Sequence, residues 1–165
     1  MIKILENLLV PNDRIRVIMD RETKERIEKE LNVKIMFNEN LVNIDGEGIE
    51  LMQAKNVVKA IGRGFSPEKA FRLFDEEECL EIVELSGMKD NKIKIIKSRI
   101  IGTKGKTRRM IERFSGCSVS VYGKTVSLIG KYEQISIARE AVDMILRGSK
   151  HSKVYGFLQQ SSPKS

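Results

Sequence analysis

Gly102-Thr103-Lys104-Gly105 sets two glycines three residues apart around a lysine, and no other pair of glycines in the chain has this spacing. Glycine has no Cβ, so it takes positive φ cheaply and lets another backbone approach closely. The flanking residues suit such a turn to one kind of guest. Ile95, Ile96, Ile100 and Ile101 run into the first glycine, with Arg99 among them. Beyond the second, Met110, Ile111 and Phe114 share one side of a helix-like segment that Gly116 ends. A helix that starts at the loop aims its unpaired N–H groups and its positive dipole end at whatever sits there. A phosphate is the natural occupant. Lys104 stands at the tip, and Lys106, Arg108 and Arg109 follow in the first turns. They add charge along the path of a single strand, so affinity is expected to fall as salt rises. Ile101, Met110 and Val119 offer bases an apolar floor, and Ser118 and Ser120 offer hydrogen bonds. Tyr122-Gly123-Lys124 forms a turn that lets Lys124 grip the strand from the opposite side. Tyr122 reads as a buried or edge tyrosine, with stacking on a base as the alternative, and His151 as a surface or capping residue.

The charge is concentrated where the loop is. The chain of 165 residues carries a net +7. From Met1 to Asp75, 13 Lys and Arg balance 13 Asp and Glu, so the whole excess lies beyond. Between Lys89 and Lys131, 12 basic residues face only Asp90 and Glu112. A basic stripe centred on a glycine loop is an electrostatic footprint for phosphates; the plain alternative is a solvated surface without a ligand.

Other classes find less support. No run of about 18 apolar residues suggests a membrane span, and MIKILENLLVPND lacks the apolar stretch and cleavage site of a secretory signal. A cytoplasmic location is therefore expected. Cys79 and Cys117 read as two buried thiols of a reducing compartment. No metal or cofactor is expected, because zinc needs more ligands than these and His151 is the only histidine. Catalysis is not expected either. A nuclease needs clustered carboxylates for metal ions, and the one acidic run, Asp75 to Glu78, reads as a solvated helix end. Serine or cysteine chemistry lacks a base, and the glycine spacing differs from a phosphate-binding P-loop.

The elements that carry the loop occur twice. At an offset of 84 residues, Val33, Ile35 and Phe37 match Cys117, Val119 and Val121. Val42, Ile44 and Gly46 match Val126, Leu128 and Gly130, and Leu51, Ala54, Val58 and Ile61 match Ile135, Ala138, Val142 and Ile145. Arg63-Gly64 matches Arg147-Gly148. Each copy reads as strand, helix, helix, strand, strand, helix, and an antiparallel sheet with helices on one face buries these stripes most simply. Copy one spans residues 1–64, with its first strand from Ile2 to Val10 and a charged helix from about Glu22 to Leu31. Residues 65–78 suggest a packed connector helix, with Ser66 as its cap and Pro67 at its first position. Copy two spans 79–148, with helix Lys106 to Ser115. A short C-terminal helix and a frayed tail occupy 149–165. At the loop the copies diverge: Val17-Ile18-Met19-Asp20-Arg21 stands where Ile101-Gly102-Thr103-Lys104-Gly105 stands in copy two. Copy one has lost both glycines, and Asp20 opposes phosphate. It reads as a domain for packing or protein contact, with Arg14, Arg16 and Arg21 leaving a residual RNA contact open.

Helix, glycine loop, helix and strand in that order resemble a KH domain, in which the glycine loop clamps about four nucleotides. The fold class is then α+β, two tandem KH domains. The segment from Arg99 to Leu158, with AIGRGFSPEKAFRLFDEEECLEIVELSG before it, resembles the archaeal and eukaryotic two-KH ribosome-assembly factors known as partners of the Nob endonuclease. The resemblance spans about Val10 to Leu158, and the lack of a long N-terminal extension resembles the archaeal members. It implies binding near the 3′ end of small-subunit rRNA, maturation or quality control of that end, and contact with the Nob-type endonuclease. The alpha subunit of translation initiation factor two is a second implied partner. The residues expected on RNA are Arg99, Ile101, Gly102, Thr103, Lys104, Gly105, Lys106, Arg108, Arg109, Ser118 and Lys124. Nothing in the sequence demands more than a monomer. A general single-stranded RNA or mRNA regulator and a pure protein scaffold are the competing readings.

Overall fold

The computed structural model describes residues 4–162. Ile2 and Lys3 of the first predicted strand, and residues 163–165 of the predicted tail, lie outside them. Two compact units divide between Glu78 and Cys79.

The first unit runs β1 (Ile4–Leu9), α1 (Asn12–Met19), α2 (Arg21–Leu31), β2 (Lys34–Asn38), β3 (Leu41–Gly46) and α3 (Gly48–Gly62). Its antiparallel sheet has the order β1-β3-β2. α4 (Pro67–Ala70) and a 3-10 turn (Phe71–Phe74) follow, so the connector is two short turns. Ser66 accepts from the Lys69 N–H at its start. The second unit runs β4 (Glu78–Glu84), α5 (Asp90–Ile101), a 3-10 turn (Thr103–Gly105), α6 (Lys106–Ser115), β5 (Ser118–Tyr122), β6 (Thr125–Lys131), α7 (Tyr132–Leu146) and α8 (His151–Ser161). Its sheet order is β4-β6-β5. Both units thus have the α+β order read from the sequence. α8 continues to Ser161, well into the stretch expected to hold only a short helix and a frayed tail.

The apolar stripes explain these elements. In α7, Ile135, Ala138, Val142 and Ile145 are buried, and they pack with Ile93, Ile96 and Ile100 of α5 and with Val119, Val126 and Leu128 of the sheet. Burying each large side chain contributes roughly 1.5–3 kcal/mol. α6 buries Thr107, Ile111 and Ser115, one every four residues, and leaves its cations outside. Two-residue hairpins join β2 to β3 and β5 to β6, with positive φ at Glu39 and Gly123. Cys117 is buried as expected, but Cys79 is exposed. It is the second residue of the edge strand β4; alternation puts it on the side of Val83 and Leu85, but at the outer end of the strand, beyond the core that covers those two.

Two polar devices recur in the units. Arg14 of α1 donates from Nε to Ile61 O (2.8 Å) and from Nη2 to Phe65 O (2.7 Å), which ties α1 to the end of α3. Arg99 of α5 does the same for α7, donating to Ile145 O (3.3 Å) and Ser149 O. The carbonyls in question stand 84 residues apart but the arginines 85, so the stretch from the arginine to the second helix is one residue longer in the first unit. The second device is a glutamate. Glu28 accepts the Ile35 N–H of β2 (2.8 Å), and Glu112 accepts the Val119 N–H of β5 (3.0 Å). The likeness also runs past Gly64 and Gly148. Ala70, Phe71 and Phe74 match Val154, Tyr155 and Leu158 at the same offset, and Ala70 and Val154 are both fully buried.

Candidate nucleic-acid interface

α5 ends when the Gly102 N–H donates to Ser98 O at 2.8 Å. The chain then turns through Gly102 (φ +77°), Lys104 (φ +54°) and Gly105 (φ +75°), and the Gly105 N–H donates to Gly102 O at 3.1 Å. The first glycine is required twice over: its φ is left-handed, and a Cβ there would lie 2.7 Å from the Thr107 backbone nitrogen. Gly123 shares the positive φ but has open space where a Cβ would go. Gly102→Ala is therefore expected to cost about 1–3 kcal/mol more than Gly123→Ala in urea unfolding, the usual range for overpacking. Equal losses would reject the close-approach argument.

α6 then opens with no side-chain cap on its first turn. In the first unit the same position is filled. Asp20 separates α1 from α2 and accepts both the Thr23 N–H and the Thr23 hydroxyl at 3.3 Å. A carboxylate of the chain itself thus occupies the anion seat that the second unit leaves open.

Cations surround that seat. Arg109 donates from Nη1 to Lys104 O at 2.6 Å, bracing the loop tip. Arg108 pairs with Glu112 at 2.8 Å. Lys104 and Lys106 are exposed beside them. On one side, a groove of about 490 Å³ lies between α5 and the Gly123-Lys124 turn, lined by Ile93, Lys94, Lys97, Ile101, Gly123 and Lys124. Ile101 is 36% exposed there. Lys124 sits 3.6 Å from Asp90, an exposed pair of little strength. On the other side, Lys106, Arg109, Met110 and Arg113 line a second depression of about 580 Å³.

The loop residues, Lys106, Arg108 and Arg109 come together, and Ile101 and Lys124 share the neighbouring groove. Met110 belongs to the other depression, and Val119 is core. Two expected residues do not join this surface. Arg99 is spent on the carbonyls at the end of α7, and Arg14 of the first unit is spent likewise. Ser118 is 8% exposed and alternates to the face of β5 away from the helices, because Val119 points into the core. Lys94 and Lys97 were missed. Their signal was their spacing from Ile101, which puts all three on one side of α5.

The segment 79–163 matches the model of the eukaryotic type KH domain (KH-domain type I), in the version for the second domain of PNO1. A KH domain-containing protein of Methanocaldococcus jannaschii is 41% identical, over 98% of this chain and 76% of its own length. The chain belongs to the Dim2/PNO1 family of KH-domain proteins. The pre-rRNA-processing protein PNO1 of Coccidioides immitis is 31% identical over 72% of this chain, which spans about half of that relative (52%). A chain of the Pyrococcus horikoshii complex of a/eIF2alpha, aDim2p and rRNA is 43% identical, with a TM-score of 0.91, covering 97% of this chain and 94% of that one. Among the described residues, no helix is long and apolar enough to cross a membrane.

Proposed function

We propose that this protein binds single-stranded rRNA through its second KH domain and acts in small ribosomal subunit assembly at the 3′ end of the rRNA. The observation that carries this reading is the uncapped start of α6 behind the glycine loop, inside the basic stripe, where the first domain has Asp20 instead. The relatives support the ribosomal part, since they include a pre-rRNA-processing protein and a complex with rRNA. Gly102, Thr103, Lys104 and Gly105 clamp the backbone; Lys106, Arg108, Arg109 and Lys124 add charge; Ile101 meets a base; Lys94 and Lys97 extend the rim. The first domain, residues 1–64, serves packing or protein contact, and 65–78 links it to the binding domain, 79–148, with 149–165 as its appendage. The protein acts without catalysis, as a monomer in the cytoplasm. Its protein partners are the alpha subunit of translation initiation factor two and the Nob-type endonuclease.

The test is binding of a short RNA from the 3′ end of small-subunit rRNA, against an unrelated RNA of equal length, across a salt series. The ribosomal RNA is expected to bind at least about tenfold tighter, the contribution of roughly one well-placed base contact. Equal affinities would support a general single-strand binder, and no binding a protein scaffold.

A further inference from the structure

The binding domain carries one element beyond the strand-helix-helix-strand-strand-helix set, and that element reaches the glycine loop. α8 packs its buried Val154 and Leu158 into the same core as α6 and α7. From its first turns, two side chains extend to the two ends of the loop. The Tyr155 hydroxyl hydrogen-bonds the Thr107 hydroxyl at 2.9 Å. His151 Nε2 hydrogen-bonds Arg99 O in the last turn of α5 at 2.9 Å, and its ring stacks on Tyr155. The Lys106 ammonium lies over the Tyr155 ring, 5.6 Å from its centre. Thr107 is fully buried, and it is the residue whose backbone and side chain pack against Gly102.

The first domain supplies an internal control. It has a threonine at the same place, Thr23, also buried. Where the binding domain has Tyr155 it has Phe71, which has no hydroxyl and packs under Arg26. The Thr23 hydroxyl turns to Asp20 instead. So the domain with an open glycine loop pairs its threonine with α8, and the domain without one pairs its threonine with the residue that fills the seat. The tyrosine occurs with the open loop, not with the fold.

We propose that α8 is a positioning element for the RNA clamp, with Tyr155 its positioning residue, acting through Thr107, and His151 steadying the opposite end of the loop. This rests on the RNA reading above. Tyr155 touches no phosphate. It fixes the Thr107 side chain, and with it the close approach that sets Gly102, and it holds the Lys106 ammonium beside the seat.

The experiment uses the full chain. Tyr155→Phe keeps the ring and removes the hydroxyl. It is expected to weaken binding of the 3′-end RNA about three- to tenfold, the range of one net hydrogen bond, and to speed amide hydrogen exchange at Gly102–Gly105. Thr107→Val should give the same loss, and adding it to Tyr155→Phe should give no more, since the two hydroxyls form one pair. Thr107→Ser should restore binding. Phe71→Tyr, in the first domain, should change nothing. The idea is overturned if Tyr155→Phe binds RNA and protects the loop amides as the wild type does, or if the two losses add. Should the wild type bind no RNA, the functional reading fails by itself, and the amide exchange still decides whether α8 sets the loop.

Discussion

The double variant Thr103→Asp/Lys104→Asp is expected to lose RNA binding by at least about tenfold at moderate salt while keeping its fold. It removes one positive charge and adds two negative ones at the mouth of the seat, where the proposed site brings a phosphate to the start of α6. Each cation withdrawn from a single-stranded site should also flatten the plot of log affinity against log salt by about 0.7. The fold should survive because Thr103 and Lys104 are exposed, and aspartate tolerates the left-handed φ that Lys104 adopts better than most residues do. Circular dichroism checks the fold, and fluorescence anisotropy of labelled RNA checks the binding. Wild-type affinity in this variant would move the RNA site off the loop.

Arg99→Met is expected to act on stability rather than on phosphate. The Arg99 guanidinium serves one backbone carbonyl in the last turn of α7 and one just beyond it, and methionine leaves both without that donor. About 3–6 kcal/mol should be lost from the unfolding of the binding domain, the sum of two hydrogen bonds to a charged group. Arg14→Met should remove a similar amount from the first domain, which has no open loop. Urea unfolding measures both. The salt slope of RNA binding should not change in Arg99→Met at a concentration of protein and temperature where it is folded. A slope lower by about 0.7 would return Arg99 to the RNA path.

These two residues show where reading the sequence reached its end. The bounds of the helix Lys106–Ser115 were legible because Gly105 and Gly116 flank it, whereas the face it buries is Thr107, Ile111 and Ser115, and of the expected Met110, Ile111 and Phe114 only Ile111 is fully inside. The hairpins and the stripes of α3 and α7 were legible because periodicity reports which face is inside. The direction of a long charged side chain leaves no such trace. Arg99 sits among cations, and its charge suggested phosphate, whereas its geometry joins it to carbonyls 46 and 50 residues away. Its partner in the first domain was hidden by the one-residue shift, which an ungapped offset cannot show. Ser118 was a different failure. Alternation already put it opposite Val119, so a floor made of Val119 and a hydrogen bond from Ser118 could not share one face. Cys79 looked buried by residue type, and its place at the rim of a sheet decides otherwise. The acid at Asp20 was read as repulsion alone; the structure shows a cap that also closes its helix.

The bare start of α6 has a cost in the free protein. A side-chain cap of the kind Asp20 provides is worth about 1 kcal/mol, and the binding domain forgoes it at the position where a guest must enter. Selection for a sturdier fold would fill that position, and the first domain displays the result: a joint whose seat Asp20 already occupies. The two halves of the chain thus stand as the two ends of a stability–activity trade-off, made from one ancestral plan and separated by a few residues at a single bend.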